Sequence, residues 1–176
     1  EDGFEISISN ENAENFINKV FKNENTLLCG LGCRDSLRVE AGLSLYGNEI
    51  NEDITPIQAN LSWAIDKKRL DDENLNGSNI LLQQLQETKD TVKIGITPVN
   101  KTMLRNNMTL HNMEKNEIGY ITSGCFSPTL KRSIGIGYIN NFTNKLDKLF
   151  VKVRGEFEEV IIDNIPFVKK NYKKGG

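Results

Sequence analysis

Glu5 and Arg34 are charged side chains in positions where they could bind a ligand. Glu5 alternates with apolar residues across 4–8, on the polar face of a predicted strand. Its carboxylate can simply be solvated there, or it can accept two parallel N–H bonds from an amidine-like edge. Arg34 falls in the first turn of a predicted helix, where a cation opposes the helix dipole. It can lie beside Arg38 at i,i+4 and form a salt bridge to a carboxylate, or it can contact an anionic ligand.

A third candidate is Tyr172, which lies in a tail of lysines and glycines. The phenol is either part of a loose end or a lid over a ligand, and the residues by themselves favour the loose end. The surrounding basic residues favour a solvated terminus over a docking patch; they are Lys169, Lys170, Lys173 and Lys174.

The single histidine and the three cysteines narrow the possible chemistry. We expect His111 in a polar surface loop, so neither histidine-dependent hydrolysis nor a histidine metal site is indicated. The cysteines, Cys29, Cys33 and Cys125, lack CxxC spacing and indicate neither a disulfide framework nor a zinc site. The stretch 123–128 predicts a barrel turn rather than a reactive thiol, because no histidine accompanies Cys125.

The stretch Gly30-Leu31-Gly32 is the beginning of a nucleotide-binding pattern. Free amides at the start of a helix can hold a phosphate. However, Asp35 takes the place of the third glycine of GxGxxG, and no P-loop lysine and serine follow. The stretch therefore favours a plain junction between a strand and a helix.

Composition argues against two classes of partner. The 22 Lys+Arg are balanced by 24 Asp+Glu, so the chain lacks the basic surplus of a nucleic-acid-binding protein. No apolar run reaches the roughly 18 residues that a membrane span needs, and no signal-peptide pattern opens the sequence. We expect a protein of a reducing compartment with neither nucleic acid nor a membrane as its partner.

The pattern of apolar residues divides the chain near residue 90. Before this point it predicts strands at 4–8 and 26–29 and helices at 13–21, at 34–41, from 55 onwards and at 78–87. After it, β-rich segments separated by Gly, Pro and Asn occur at 92–97, 117–122, 133–139, 148–154 and 159–162. We expect an α+β region over residues 1–90 and a small antiparallel barrel or sandwich over residues 91–176.

Several stretches, in order along nearly the whole chain, resemble one known family. They are EDGFEIS at 1–7, GLGCRDSLRVEAGLSLYGNE at 30–49, then Glu52, Thr55-Pro56, Leu61-Ser62-Trp63, GYITSGCFSPTLK at 119–131, and the runs 136–138, 153–155 and 166–168. Together they resemble the aminomethyltransferase, or T protein, of the glycine cleavage system, in its C-terminal portion. The resemblance implies a partial α/β folate-binding lobe followed by a C-terminal β-barrel domain.

The activity implied by the resemblance is a folate-dependent group transfer. The family moves the aminomethyl group from the lipoyl arm of the H protein to tetrahydrofolate, yielding 5,10-methylenetetrahydrofolate, ammonia and a reduced lipoyl arm. Tetrahydrofolate is thus the implied co-substrate, with no metal. The implied partners are the lipoylated H protein, glycine decarboxylase and dihydrolipoyl dehydrogenase. The implied compartment is the cytoplasm of a bacterium, which we favour, or the mitochondrial matrix of a eukaryote.

The resemblance assigns the three candidate side chains to the folate. Glu5 would pair with the donor edge of the pterin, and Arg34 would supply the cation that an anionic ligand needs. Tyr172 would be the third contact. The catalytic residue is unknown, because the aspartate that assists the family's reaction belongs to an N-terminal half that these 176 residues do not match. We therefore expect the chain alone to be inactive.

Two other folate-binding classes share this fold. One is a non-enzymatic relative that assists iron-sulfur protein maturation; it carries a Lys-Gly-Cys motif, whereas Cys125 lies in Ser-Gly-Cys-Phe-Ser-Pro. The other is the folate module of dimethylglycine or sarcosine dehydrogenases, which the segment 34–48 matches less well. Both comparisons favour the glycine cleavage enzyme.

Overall fold

The computed structural model describes residues 4–70, 72, 75–86, 91–140 and 148–169. Within these residues the helices are α1 (Asn10–Val20), α2 (Leu31–Glu40) and α3 (Ser78–Gln86), with short 3-10 turns at Ser62–Ala64 and Lys67–Arg69. The strands are β1 (Thr91–Pro98), β2 (Thr109–His111), β3 (Glu117–Ser127), β4 (Arg132–Asn140), β5 (Leu149–Val153) and β6 (Glu156–Asp163). Helices thus precede strands, as the predicted α+β class requires. In the same ranges no helix combines the length and the apolar character of a membrane span.

The six strands close into an antiparallel barrel in the order β1-β4-β3-β2-β5-β6, and β6 pairs back onto β1. Closure leaves no free sheet edge in the barrel. Inward-facing side chains fill it with one apolar cluster: Ile94, Ile96, Leu104, Leu110, Ile121, Ile139, Leu149, Val151 and Val160. The predicted barrel is confirmed, and the sandwich is excluded.

A second apolar cluster joins α2 to the barrel. Val39 of α2 is fully buried with Ile134 and Ile136 of β4, and Ile165 and Phe167 pack against the same cluster. Residues on both sides of the predicted boundary near 90 therefore share a core. The division into domains 1–90 and 91–176 stays a prediction.

Two segments predicted as strands, 4–8 and 26–29, are not strands. A strand needs a neighbour that bonds to its N–H and C=O groups, and no described residue pairs with either segment. Alternating apolar residues cannot supply that neighbour, so Phe4 and Leu28 are largely exposed. The helix predicted between these segments is confirmed as α1, but none of its residues is buried.

The helix predicted from Thr55 stops after one turn. Thr55 and Gln58 form a capping box, in which the Thr55 N–H donates to Gln58 Oε1 at 2.9 Å and the Gln58 N–H donates to Thr55 Oγ1 at 3.3 Å. Asn60 then adopts a left-handed φ of 59°. Its side-chain amide donates to the Lys93 carbonyl oxygen at 3.1 Å. A bond to the barrel thus takes the place of the next helical turn.

The expected surface-loop position of His111 is wrong. His111 lies on β2, is only 7% exposed, and its ring nitrogens bond to Thr109 Oγ1 and to the Lys115 carbonyl oxygen. Its ring also meets the Phe157 ring edge-on, with the centroids 5.0 Å apart. The strand was missed because three residues between polar neighbours show too little alternation. The histidine is a satisfied structural residue.

The barrel turn predicted at 123–128 is also misplaced. β3 continues to Ser127, with Cys125 opposite Ile134 of β4, and the turn lies at 128–131. The pairing with β4 keeps the backbone of this stretch extended.

Candidate functional site

α2 is the element that carries Arg34, and its two ends differ. Gly30 precedes the helix with extended backbone and no side-chain cap. The other end is closed by Gly42, whose φ of +67° lets its N–H bond to the Val39 carbonyl at 2.9 Å while the Leu43 N–H bonds to the Arg38 carbonyl at 2.8 Å. This is a Schellman motif, which ends the helix at a defined residue.

A buried network anchors the middle of α2 to the barrel. Glu49 is fully buried and Arg38 is 5% exposed. The Arg38 guanidinium donates through Nη1 to Glu49 Oε2 at 2.8 Å, through Nε to Asp35 Oδ1 at 2.7 Å and through Nη2 to Ser123 Oγ at 2.8 Å. Each of its three nitrogens thus has its own acceptor, one on the helix, one on the following loop and one on β3.

The Glu49 carboxylate is fully satisfied without water. Besides Arg38, it accepts from the Leu45 N–H at 3.0 Å, from Thr122 Oγ1 at 2.6 Å and from Ser123 Oγ at 2.5 Å. The Glu49 carbonyl accepts from the Tyr138 hydroxyl at 2.7 Å. Burial and the nearby Glu49 carboxylate raise the pKa of Tyr138 well above its ordinary value, so the phenol remains a donor.

A β-bulge explains how consecutive residues of one strand both reach Glu49. Neighbouring side chains on a strand normally point to opposite faces. The pairing of β3 with β4 shifts between Ile121 and Ser123, which leaves Thr122 without a partner residue in the ladder. The bulge re-aims Thr122, so its hydroxyl and that of Ser123 lie on the same carboxylate oxygen.

A second set of bonds fixes the C-terminal end of α2. Glu40, only 3% exposed, accepts from Ser127 Oγ at 2.5 Å, from the Thr129 N–H at 3.2 Å and from Thr129 Oγ1 at 2.8 Å. Its carbonyl accepts from the Val168 N–H at 3.1 Å. The chain beyond the barrel is therefore tied to the end of α2.

The structure describes two of the three side chains predicted to contact folate. Arg34 is exposed in the first turn of α2, and it makes no salt bridge or side-chain hydrogen bond with any described residue. Glu5 is exposed in the extended segment before α1; within the described ranges, residues 4–28 hydrogen-bond only among themselves. Tyr172 lies outside the described residues. Their convergence on one ligand stays a prediction.

The cysteines show no sign of an activated nucleophile. Burial raises the pKa of Cys125 to about 11; Asp35 and Glu40 add to this, and Arg38 opposes it. The pKa of Cys33 is raised chiefly by a side-chain hydrogen bond with Cys29. The described residues also contain no group of three or more His, Cys, Asp or Glu that could hold a metal ion.

Sequence reasoning missed the anchoring residues altogether. Arg38, Glu40 and Glu49 fall inside the stretch 30–49, but nothing in the sequence of that stretch indicates that they are buried. Charged residues are mostly exposed, and their partners on β3 are more than 70 residues away. An available signal was the Thr122-Ser123 pair of small hydroxyl residues in a strand.

The chain matches known proteins in both its helical region and its closed barrel. The family model described as the GCVT N-terminal domain matches residues 1–69, and the one described as the glycine cleavage T-protein C-terminal barrel domain matches residues 89–169. The two models represent the two parts of one protein family and together cover most of the chain. The chain belongs to the glycine cleavage T-protein family.

Individual relatives agree with this assignment. The chain is 40% identical over 177 residues to the mitochondrial aminomethyltransferase of Flaveria trinervia and 37% identical over 173 residues to that of Homo sapiens. The structure of the glycine cleavage system aminomethyltransferase T from Bartonella henselae matches with a TM-score of 0.84 and 32% identity, over 92% of this chain and 45% of that one. The chain spans 43% of the length of both sequence relatives.

Proposed function

We propose that this chain forms the C-terminal part of the tetrahydrofolate-binding lobe and the barrel of an aminomethyltransferase of the glycine cleavage system. The reaction would pass the aminomethyl group from the lipoyl arm of the H protein to tetrahydrofolate, with release of ammonia and formation of 5,10-methylenetetrahydrofolate. Family membership and the similarity to named aminomethyltransferases support the proposal. Glycine decarboxylase and dihydrolipoyl dehydrogenase would act on the same lipoyl arm.

The observation that carries the proposal is the state of Arg34. Its guanidinium is exposed at the free end of α2, with no carboxylate partner among the described residues, while the rest of the helix is fixed to the barrel. An exposed cation on a fixed support suits an anionic ligand better than a structural salt bridge. Glu5, also exposed, offers the acceptor that the N–H edge of a pterin needs.

Chain length allows Tyr172 to join Arg34. Val168 is held at the Glu40 carbonyl, and four residues lead from it to Tyr172. At about 3.5 Å per residue, they can span up to about 14 Å. The rise of α2 from Glu40 back to Arg34 is about 9 Å at 1.5 Å per residue. The number of residues after the Val168–Glu40 bond is therefore compatible with the proposed contact of Tyr172, whose position lies outside the described residues.

In the proposed reaction these residues bind and orient the folate. Tetrahydrofolate supplies the nucleophilic nitrogen, so the protein's main task is to hold that nitrogen against the aminomethyl carbon and to stabilise charge as ammonia leaves. Glu5 and Tyr172 would fix the pterin, and Arg34 would balance negative charge on the ligand. The residue that assists proton transfer is expected in the part of the family's N-terminal domain that this chain does not match.

The compartment that we propose depends on whether the protein comes from a eukaryote or a bacterium. The two sequence relatives are named as mitochondrial proteins, and the structural relative is bacterial. We propose the mitochondrial matrix for a eukaryotic source and the cytoplasm for a bacterial one.

The test uses a polypeptide of full family length that ends in this chain. We expect it to bind tetrahydrofolate in titration calorimetry and to release ammonia when aminomethyl-loaded H protein and tetrahydrofolate are both present. Folate binding without ammonia release would contradict the transferase and favour the iron-sulfur maturation relative. No folate binding at all would reject every function proposed for this site.

A further inference from the structure

The buried Arg38–Glu49 pair is a costly way to attach a helix to a barrel. Transfer of two charges out of water costs several kcal/mol for each ion, and well-packed apolar residues often do as well or better in their place. Here the cost is met by six hydrogen bonds, from and to groups on α2, the 45–49 loop and β3. Compared with apolar packing, such a network also fixes the orientation of the helix on the barrel, because every hydrogen bond restricts an angle as well as a distance.

We propose that Arg38 is a positioning residue that sets the place of Arg34 for the ligand; this inference rests on the proposed function. The guanidinium is a rigid plane, and its three nitrogens are bonded to Asp35, Glu49 and Ser123. The Asp35 bond holds the guanidinium on α2 itself, and the bonds to Glu49 on the following loop and to Ser123 on β3 then fix the tilt and rotation of α2 on the barrel.

Arg34 is the residue most directly governed by this arrangement. It precedes Arg38 by four positions, so the two lie on the same side of α2 about one turn apart. The Glu40 bonds act at the other end of the helix, six residues from Arg34. A small tilt of α2 about its C-terminal end would leave the Glu40 contacts nearly in place but would displace the tip of the long Arg34 side chain.

Lysine cannot take over this role. It keeps the positive charge that Glu49 requires, but its single Nζ cannot hold Asp35, Glu49 and Ser123 in one plane. Arg38→Lys therefore separates charge compensation from orientation. Ser123→Ala is the milder variant, because it leaves the ion pair intact. It removes the acceptor of Nη2 together with the bonds of Ser123 Oγ to Asn48 and to Glu49 Oε1.

The experiment is a double-mutant cycle in the polypeptide of full family length. Tetrahydrofolate dissociation constants are measured for wild type, Arg34→Ala, Arg38→Lys and the double variant, with the thermal midpoint of each. We expect Arg38→Lys to weaken binding about tenfold and Ser123→Ala about threefold. The double variant should bind within about twofold of Arg34→Ala alone, because a misplaced Arg34 and an absent one are equivalent.

A matched control separates positioning from stability. Thr97 is 3% exposed and donates to Asp163 at 2.9 Å, so Thr97→Val also removes a buried hydrogen bond, on the β1–β6 side of the barrel. We expect Thr97→Val to lower the thermal midpoint and leave the dissociation constant unchanged. If Arg38→Lys does not fold, Ser123→Ala replaces it in the cycle.

The outcomes distinguish the two proposals. If wild type does not bind tetrahydrofolate, or if Arg34→Ala binds it normally, the proposed site falls and the inference falls with it. If Arg34→Ala weakens binding but Arg38→Lys and Ser123→Ala only lower the thermal midpoint, the site stands and the positioning role is wrong. Additive losses in the cycle would also overturn the positioning role.

Discussion

Arg34 is the residue on which the proposed chemistry depends most. Arg34→Ala removes an exposed side chain without described partners, so the fold should be retained. Tetrahydrofolate binding should weaken by about 1.5 to 3 kcal/mol, the range for a hydrogen bond to a charged group. Calorimetry and folate-dependent ammonia release measure the effect. Arg105→Ala, at another exposed arginine, should change neither; normal turnover of Arg34→Ala would return Arg34 to a structural role.

Glu5 is tested in the same way but against a different control. If its carboxylate accepts paired N–H bonds from the pterin, Glu5→Ala should weaken tetrahydrofolate binding by about 1.5 to 3 kcal/mol. Glu14, exposed on α1, carries the same charge a few residues away, and Glu14→Ala controls for the loss of a negative charge. Equal affinity of the Glu5→Ala variant and wild type in titration calorimetry would remove Glu5 from the site.

Cys125 gives a prediction on pH. A pKa of about 11 means that its thiol is almost entirely protonated at neutral pH, and the thiolate is the reactive form. In a Cys29→Ser/Cys33→Ser background, alkylation of Cys125 should be slow at pH 8 and should rise about tenfold per pH unit up to about pH 10. Iodoacetamide labelling followed by mass spectrometry measures the rate. A plateau near pH 8 would show an activated thiol instead.

At the scale of the elements, the C-terminal end of α2 is held by backbone geometry as well as by hydrogen bonds. At Gly42, a Cβ would meet Ile165 and lie 3.5 Å from the Pro166 Cα, and φ is +67°. Gly47 also has a positive φ, of +91°, but no atom lies within 4 Å of its Cβ position. Gly47→Ala should cost about 1 kcal/mol of unfolding free energy from strain, and Gly42→Ala about 1 to 3 kcal/mol more from the clash.

Urea denaturation of the two variants measures this difference. Because both variants replace glycine by alanine at positive φ, the excess loss in Gly42→Ala reports the packing of the chain after β6 against α2. Equal losses of unfolding free energy in the two variants would mean that the Ile165 side chain can move aside without destabilising the fold. In that case residues 164–168 would be held on α2 less tightly than the Val168–Glu40 bond indicates.

The elements that could be predicted from sequence are those with local signals. Short β-rich segments separated by Gly, Pro and Asn predicted five of the six strands, and an apolar stripe predicted α1. The failures have long-range causes: segment 4–8 finds no partner strand, Asn60 bonds to Lys93, and Glu49 collects donors from β3. In the Arg38–Glu49 network, Arg38 bonds to residues 11 and 85 positions away, which no local pattern encodes.

The residues of the candidate site also differ in whether a local sequence signal predicts them. Arg34 could be singled out because a cation in the first turn of a helix is locally unfavourable, and this needs no knowledge of the fold. Its support could not be predicted, because buried charges look like exposed ones in a sequence. Glu5 and Tyr172 were assigned by resemblance, and their contacts remain predictions.

At the scale of the whole molecule, the two parts of the chain present different surfaces. The barrel buries most of its large apolar side chains, but the region before it leaves Phe4, Leu28, Leu31 and Trp63 each more than 80% exposed. Exposed apolar residues in such number are typical of a surface that another part of a protein covers. The sequence relatives named above are more than twice as long as the matched segment.

The 176 residues produced alone should therefore bind the apolar dye ANS and tend to associate, and a polypeptide of full family length should do so less. Leu28→Ser and Trp63→Ser should lower the dye fluorescence of the chain alone, because they remove exposed apolar area. Phe126→Ser is the matched control, since Phe126 is half exposed on β3 and lies outside this region. Equal dye binding by the short and the long polypeptides would mean that the apolar residues before the barrel stay open to solvent in the complete fold, and that the folate lobe needs no further chain to cover them.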